Sequence, residues 1–304
     1  MARNLRRVAI IPSLFTVANG VCGFVAIIVA SRIQPANLNP AAGPLFEQSM
    51  NLLHIAGWLI FAGMLFDVLD GRVARLTGAA SKFGAELDSL CDVVTFGVAP
   101  AFLLLKMGPT PDDNWLLYRV LFVAATLYVV CTILRLARFN VETTSEDDHR
   151  FFKGLPSPAA AGCLASFAIL RYDLLRYEEL LNLGDGAFWP ATRIASNLLP
   201  FGAMLVALLM VSEVRYPHFV NQSLRGRHPF PHLVSLLAIA ALFLLLGAGP
   251  PFAIAFWMFA VVWPLKSLRE PPPAGPGPPS PLETPREQAR ELPRVRRSHP
   301  ELDN

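Results

Sequence analysis

The chain has 304 residues, of which 53% are hydrophobic and only 16% charged, and its formal net charge at pH 7 is +3. Its apolar residues gather in runs of about 17 to 25, the length that crosses a bilayer, so the composition points to a polytopic membrane protein. The charge is too small, and too confined to the stretches between apolar runs, to make the basic field that nucleic acid requires, so no nucleic-acid partner is expected.

In chain order, a basic segment from Met1 to Arg7 leads into an apolar stretch ending near Ala30. That stretch is too long for the h-region of a signal peptide and lacks a convincing cleavage site, so it is expected to be the first membrane helix. Further spans are expected from Leu52 to Leu76, Phe83 to Leu105, Trp115 to Phe139, Ser157 to Leu175, Ile194 to Val211, Leu233 to Leu246 and Phe252 to Leu265. The fold class is therefore all-α, a polytopic membrane bundle of about eight transmembrane helices. Basic residues fall at alternate connections (Arg3, Arg6 and Arg7; Arg72, Arg75 and Lys82; Arg150 and Lys153; Arg215, Arg225 and Arg227; Lys266 and Arg269), which marks those connections, and both termini, as cytoplasmic.

Residues 1–268 read as one membrane domain. From 269 to 304 the chain turns Pro-rich (PPPAGPGPPSP) and then charged, a composition that buries too little apolar surface to offset ordering, so this tail is expected to be disordered and unnecessary for chemistry. Cys22, Cys91, Cys131 and Cys163 sit singly inside apolar runs and read as small buried hydrophobes. The six histidines form no HExxH, which argues against histidine-based chemistry.

The informative segment is FDVLDGRVARLTGAASKFGAELDSLCDVVTFGVAP, from Phe66 to Pro100. Asp67, Asp70, Asp88 and Asp92 lie at the cytoplasmic ends of two consecutive expected helices, where a carboxylate costs several kcal/mol unless it is paired, hydrated or bound to a cation. Spacings of three and four residues put each pair on one helix face, and the short connection lets the two faces meet in a pocket of up to four carboxylates. Oxygen ligands without nearby His or Cys select hard divalent ions such as Mg2+ or Mn2+, with room for two. Arg75 adds a fork suited to phosphate, and Gly71, Ala74, Gly78 and Gly84 remove bulk around the acids. Two plainer alternatives stay open at this point: salt bridges from these acids to Arg72, Arg75 and Lys82, and a packing role for the glycines.

These residues resemble the signature of the CDP-alcohol phosphatidyltransferase family, DxxDGxxAR followed by a glycine and two further aspartates. Asp67, Asp70, Gly71, Ala74, Arg75, Gly84, Asp88 and Asp92 match it in type and spacing. The resemblance implies that Asp67, Asp70 and Asp88 bind one divalent ion and Asp67, Asp88 and Asp92 a second. It also implies that Gly71, Ala74, Arg75 and Gly84 hold the CDP moiety and that Asp92 is the general base. IPSLFTVANGVCGF near the N-terminus, LRLARFN from Leu134 and FKGLPSPAAAG from Phe152 resemble bacterial-type phosphatidylserine synthases, although Ser13 stands where asparagine would follow the proline. That implies CDP-diacylglycerol and L-serine as substrates, the lipid bilayer as surroundings, a homodimer, and the inner membrane of a bacterium.

Read physically, Arg135, Arg138, Asn140 and Lys153 gather at the cytoplasmic end of the fourth span and the start of the fifth, where they can meet a lipid phosphate or the carboxylate of serine, or serve as ordinary cytoplasmic anchors. The same chemistry with glycerol 3-phosphate, inositol phosphate or choline as acceptor is the nearest alternative. An ion transporter would spread its acids over several helices near mid-membrane, whereas these concentrate at one hairpin. A scaffold recruiting partners through the Pro-rich tail leaves the aspartate spacing unexplained.

Overall fold

The computed structural model describes residues 2–77, 81–112, 114–142, 151–182, 187–217 and 247–267. Helix α1 runs Ala2–Ser31; two 3-10 turns, Pro35–Leu38 and Pro40–Ala42, reverse the chain into α2, Pro44–Thr77. Then come α3, Lys82–Asp92, a π-helical turn, Val93–Val98, and α4, Ala99–Met107, which together make one span. The bundle continues with α5, Trp115–Glu142, and α6, Ser157–Leu180, followed by α7, Trp189–Val211, and α8, Gly249–Ser267.

The helix ends have local causes. Ser81 caps α3 by accepting the Gly84 N–H at 3.0 Å, and Asn114 caps α5 by accepting the Leu116 and Leu117 N–H groups at 3.0 and 3.1 Å. Two three-residue strands, β1 (Phe151–Lys153) and β2 (Arg215–Pro217), pair antiparallel with Phe152 opposite Tyr216. Gly154, at φ +82°, then turns the chain, donating to Val214 O at 2.8 Å, and Leu155 donates to Leu209 O at 2.9 Å, so the start of α6 is pinned to the end of α7. Tyr216 is fully buried and donates to Ala260 O at 3.2 Å; burial pushes its phenol well up from the ordinary tyrosine range, so the hydroxyl remains a donor.

Six described helical spans are long and apolar enough to cross a membrane, and Gly249–Leu265 is a shorter apolar helix, so the chain is an integral membrane protein. The expected span Leu233 to Leu246 lies outside the described residues, so the count of eight is not established. Several boundaries move. Helix α2 starts at Pro44 rather than near Leu52, α7 starts at Trp189 rather than Ile194, and α6, which holds Asp173, continues past the expected Leu175 to Leu180 and takes in Glu178. The two acids are accommodated by backbone donors beyond their own helix: Asp173 accepts the Gly249 N–H at 2.7 Å at the start of α8, and Glu178 accepts the Phe188 N–H.

Packing follows the inside-out logic of membrane helices, small residues inward and large ones toward lipid. On α1, Leu14, Val17, Val21, Phe24 and Ile28 are exposed, while Thr16, Asn19, Gly23, Ala26 and Ala30 form the buried stripe at the same spacing. That stripe lies along α2 and the α3–π segment; α5 packs on α7, and α6 packs on both α2 and α8.

Candidate active site

The signature aspartates come together where α2 ends and α3 begins. Asp67 and Asp70, one turn apart on α2, meet Asp88 of α3 so that one carboxylate oxygen from each lies within 4.8 Å of the others. Asp70 is buried, and Asp67 and Asp88 are half-buried. The connection from 78 to 80 lies outside the described residues, but the cap at Ser81 fixes the direction in which α3 sets out.

Three carboxylates at this separation repel one another unless a cation stands among them, and the penalty grows out of water. Asp70 Oδ2 and Asp88 Oδ1 are buried with no hydrogen-bond partner among the described residues, so these oxygens lack the compensation a protein normally supplies. Arg72 is exposed, and the side chains of Arg75 and Lys82 lie outside the described part, so the salt-bridge alternative gains no support from the described residues. An oxygen-only, partly solvated donor set with orphaned buried atoms fits a hard divalent cation.

Asp92, the last residue of α3, stands beside this triple rather than within it. It is buried, and its Oδ1 accepts the Asn19 amide N–H at 2.9 Å. Asp67, Asp88 and the Arg135 guanidinium are its electrostatic neighbours. The π turn begins at the next residue, and α5 grips it through the Tyr128 hydroxyl, which donates to Phe96 O at 3.0 Å.

The remaining expected residues divide. Arg135 is half-buried, faces the aspartates and donates to the Ser157 hydroxyl at the start of α6. Asn140 exchanges hydrogen bonds with Ser89 at 3.0 and 3.2 Å, tying the end of α5 to α3 one residue beyond Asp88. Arg138 is half-buried at the same end of α5. Gly71 and Ala74 are half-buried on the last turns of α2, and the Gly84 N–H is engaged by the Ser81 cap. The side chain of Lys153, like that of Arg75, is outside the described part. Sequence reasoning missed Asn19, Thr95, Ser89 and Ser157, the polar partners that orient the site. The available signal was an amide or hydroxyl inside an apolar run.

The sequence profile of the family described as CDP-alcohol phosphatidyltransferase matches residues 9–192, a stretch holding all four aspartates, Asn19 and Arg135. A Helicobacter pylori (strain J99) protein named CDP-diacylglycerol–serine O-phosphatidyltransferase is 32% identical over 83% of this chain and 92% of its own length. Relatives with the same name are 32% identical in Bacillus subtilis, over 69% of this chain and 90% of that protein, and 38% identical in Methanocaldococcus jannaschii, over 54% and 64%. The match spans the helices that bring the acids together as well as the acids themselves, and the chain belongs to the CDP-alcohol phosphatidyltransferase family.

Proposed function

We propose that the protein transfers the phosphatidyl group of CDP-diacylglycerol to L-serine, giving phosphatidylserine and CMP, a step of phospholipid biosynthesis. The observation that carries the chemistry is the convergence of three carboxylates with orphaned buried oxygens at one end of two membrane helices, beside a fourth acid held by a dedicated donor. Serine as the acceptor rests on the names of the relatives.

Asp67, Asp70 and Asp88 are assigned to one divalent ion and Asp67, Asp88 and Asp92 to a second, either Mg2+ or Mn2+. Such ions, when bound, neutralise the charge that builds up on the pyrophosphate as CMP leaves. Gly71, Ala74, Arg75 and Gly84 are assigned to the CDP moiety, where small side chains allow close approach. Arg135, Arg138, Asn140 and Lys153 are assigned to the serine carboxylate or the lipid phosphate. Asp92 takes the proton from the serine hydroxyl as its oxygen bonds to phosphorus and the bond from phosphorus to the CMP oxygen breaks. Burial of Asp92 keeps bulk water from competing for that role.

The alternating Lys and Arg clusters support a cytoplasmic site and cytoplasmic termini, in the inner membrane of a bacterium, and the family likeness supports a homodimer. The test uses purified protein in detergent with CDP-diacylglycerol and Mn2+ or Mg2+, and CMP release is followed with serine, glycerol 3-phosphate, inositol phosphate or choline as sole acceptor. Release with serine alone is expected. Release with another acceptor instead would keep the metal site and overturn serine.

A further inference from the structure

Asn19 is 0% exposed in the middle of α1, an apolar helix in which a buried amide is costly unless it has a task. Its amide N–H donates to Asp92 Oδ1 at 2.9 Å, and its backbone carbonyl accepts the Thr95 hydroxyl at 2.9 Å. Thr95 is itself fully buried, three residues after Asp92 within the π turn. Asn19 therefore holds the segment carrying Asp92 at two points, one on the carboxylate and one on the residue three positions further on.

The surroundings are cut to fit this clamp. A Cβ at Gly23 would lie 2.6 Å from Thr95 Cα, and one at Gly63 would lie 2.9 Å from Asn19 Oδ1 and 2.5 Å from Thr95 Cγ2. Two glycines from two helices thus let α1, α2 and the π turn close on one asparagine and one threonine. Among the described residues Asn19 is the one hydrogen-bond donor to the Asp92 carboxylate. The terminal torsion of an aspartate is broad and roughly two-fold, so without a partner the carboxylate plane is loosely set.

We propose that Asn19 is a positioning residue for the transfer reaction: its amide occupies Oδ1 of Asp92 and fixes the carboxylate plane, leaving Oδ2 as the oxygen that meets the acceptor hydroxyl. The inference rests on the reading of Asp92 as the base. It assigns to α1, which lies outside the acidic signature, a direct hold on the group that takes the proton. A base that is held in the reactive orientation lowers the barrier without changing how tightly the lipid is bound.

The test compares full-length wild type with Asn19→Leu, which deletes the donor while keeping the branched shape, and with Asn19→Asp, which keeps the shape but faces one acceptor with another. Turnover per folded molecule, KM for CDP-diacylglycerol and the thermal midpoint in detergent are measured at saturating Mn2+. For Asn19→Leu, turnover is expected to fall roughly 30- to 100-fold, the scale of a misplaced reacting group, while KM stays within about threefold. Asn19→Asp is expected to lose at least as much. Turnover within about threefold of wild type for either folded variant, or a loss confined to KM, overturns the proposal, because a packing residue alone would lower the midpoint and leave the chemistry of the folded fraction intact.

The same variants are combined with Asp92→Leu in a double-mutant cycle read by thermal midpoint, which needs no activity. Non-additive shifts are expected, since either substitution alone already breaks the contact; additive shifts overturn the link. If wild type releases no CMP with any acceptor, the transferase reading fails, and this cycle alone judges the contact between Asn19 and Asp92.

Discussion

Asp67 and Asp92 belong to the same acidic group yet have different surroundings. Asp67 shares the close triple with Asp70 and Asp88, whereas Asp92 sits beside it on an amide. Asp67→Asn keeps the shape and removes one negative charge from the triple, so the metal concentration for half-maximal rate is expected to rise at least roughly tenfold, together with a drop in turnover of roughly 100-fold. A Mn2+ titration of CMP release checks this, and a curve overlaying wild type would remove Asp67 from the ion site. Asp92→Asn removes the proposed proton acceptor and is expected to abolish turnover while the protein still inserts and purifies as folded material; near-normal turnover would take Asp92 out of the mechanism. The four acids were legible in the sequence because carboxylates in apolar helices demand compensation. Asn19 and Ser157 were not, because a single amide or hydroxyl in such a run is equally at home as a packing residue. Only the long-range contacts, from Asn19 to Asp92 and from Arg135 to Ser157, separate the two readings.

At the scale of the element, hydropathy located most of the spans, since length and apolarity decide which helices cross a bilayer. It did not locate the π turn Val93–Val98, because one extra residue per turn leaves composition unchanged, nor the β1–β2 pair, whose three-residue strands carry no periodic signal. The π turn matters for the site because it follows Asp92 directly and is sandwiched against α1. Gly23→Ala would place a methyl group 2.6 Å from Thr95 Cα and 2.9 Å from its N, backbone atoms that can yield only if α1 and the π turn move apart. Overpacking of this kind costs about 1–3 kcal/mol, so a lowered midpoint is expected. Thermal unfolding in detergent measures it. An unchanged midpoint would show that the helices are not this close in the membrane.

At the scale of the molecule, the acids, Arg135 and the Ser89–Asn140 link gather at one end of the bundle, the end from which α2 leaves and α3 returns. Every group assigned to the chemistry precedes Ser157, and the family profile ends at residue 192, so nothing in the proposed mechanism draws on the Pro-rich segment from 269 to 304. A chain ending at residue 268 is therefore expected to insert, purify and release CMP at a rate within about twofold of the full-length protein, the tail being too poor in apolar side chains to add a packed element. Its KM for CDP-diacylglycerol in mixed micelles should also stay unchanged. The same pair of proteins tests sidedness: in the proposed orientation, which puts Lys266 and Arg269 on the cytoplasmic side, a protease added outside sealed inverted vesicles should clip the full-length tail. Protection of the tail in such vesicles would reverse the orientation and place the aspartate cluster on the wrong side for a cytosolic acceptor. A large loss of turnover on truncation would make the tail part of the enzyme.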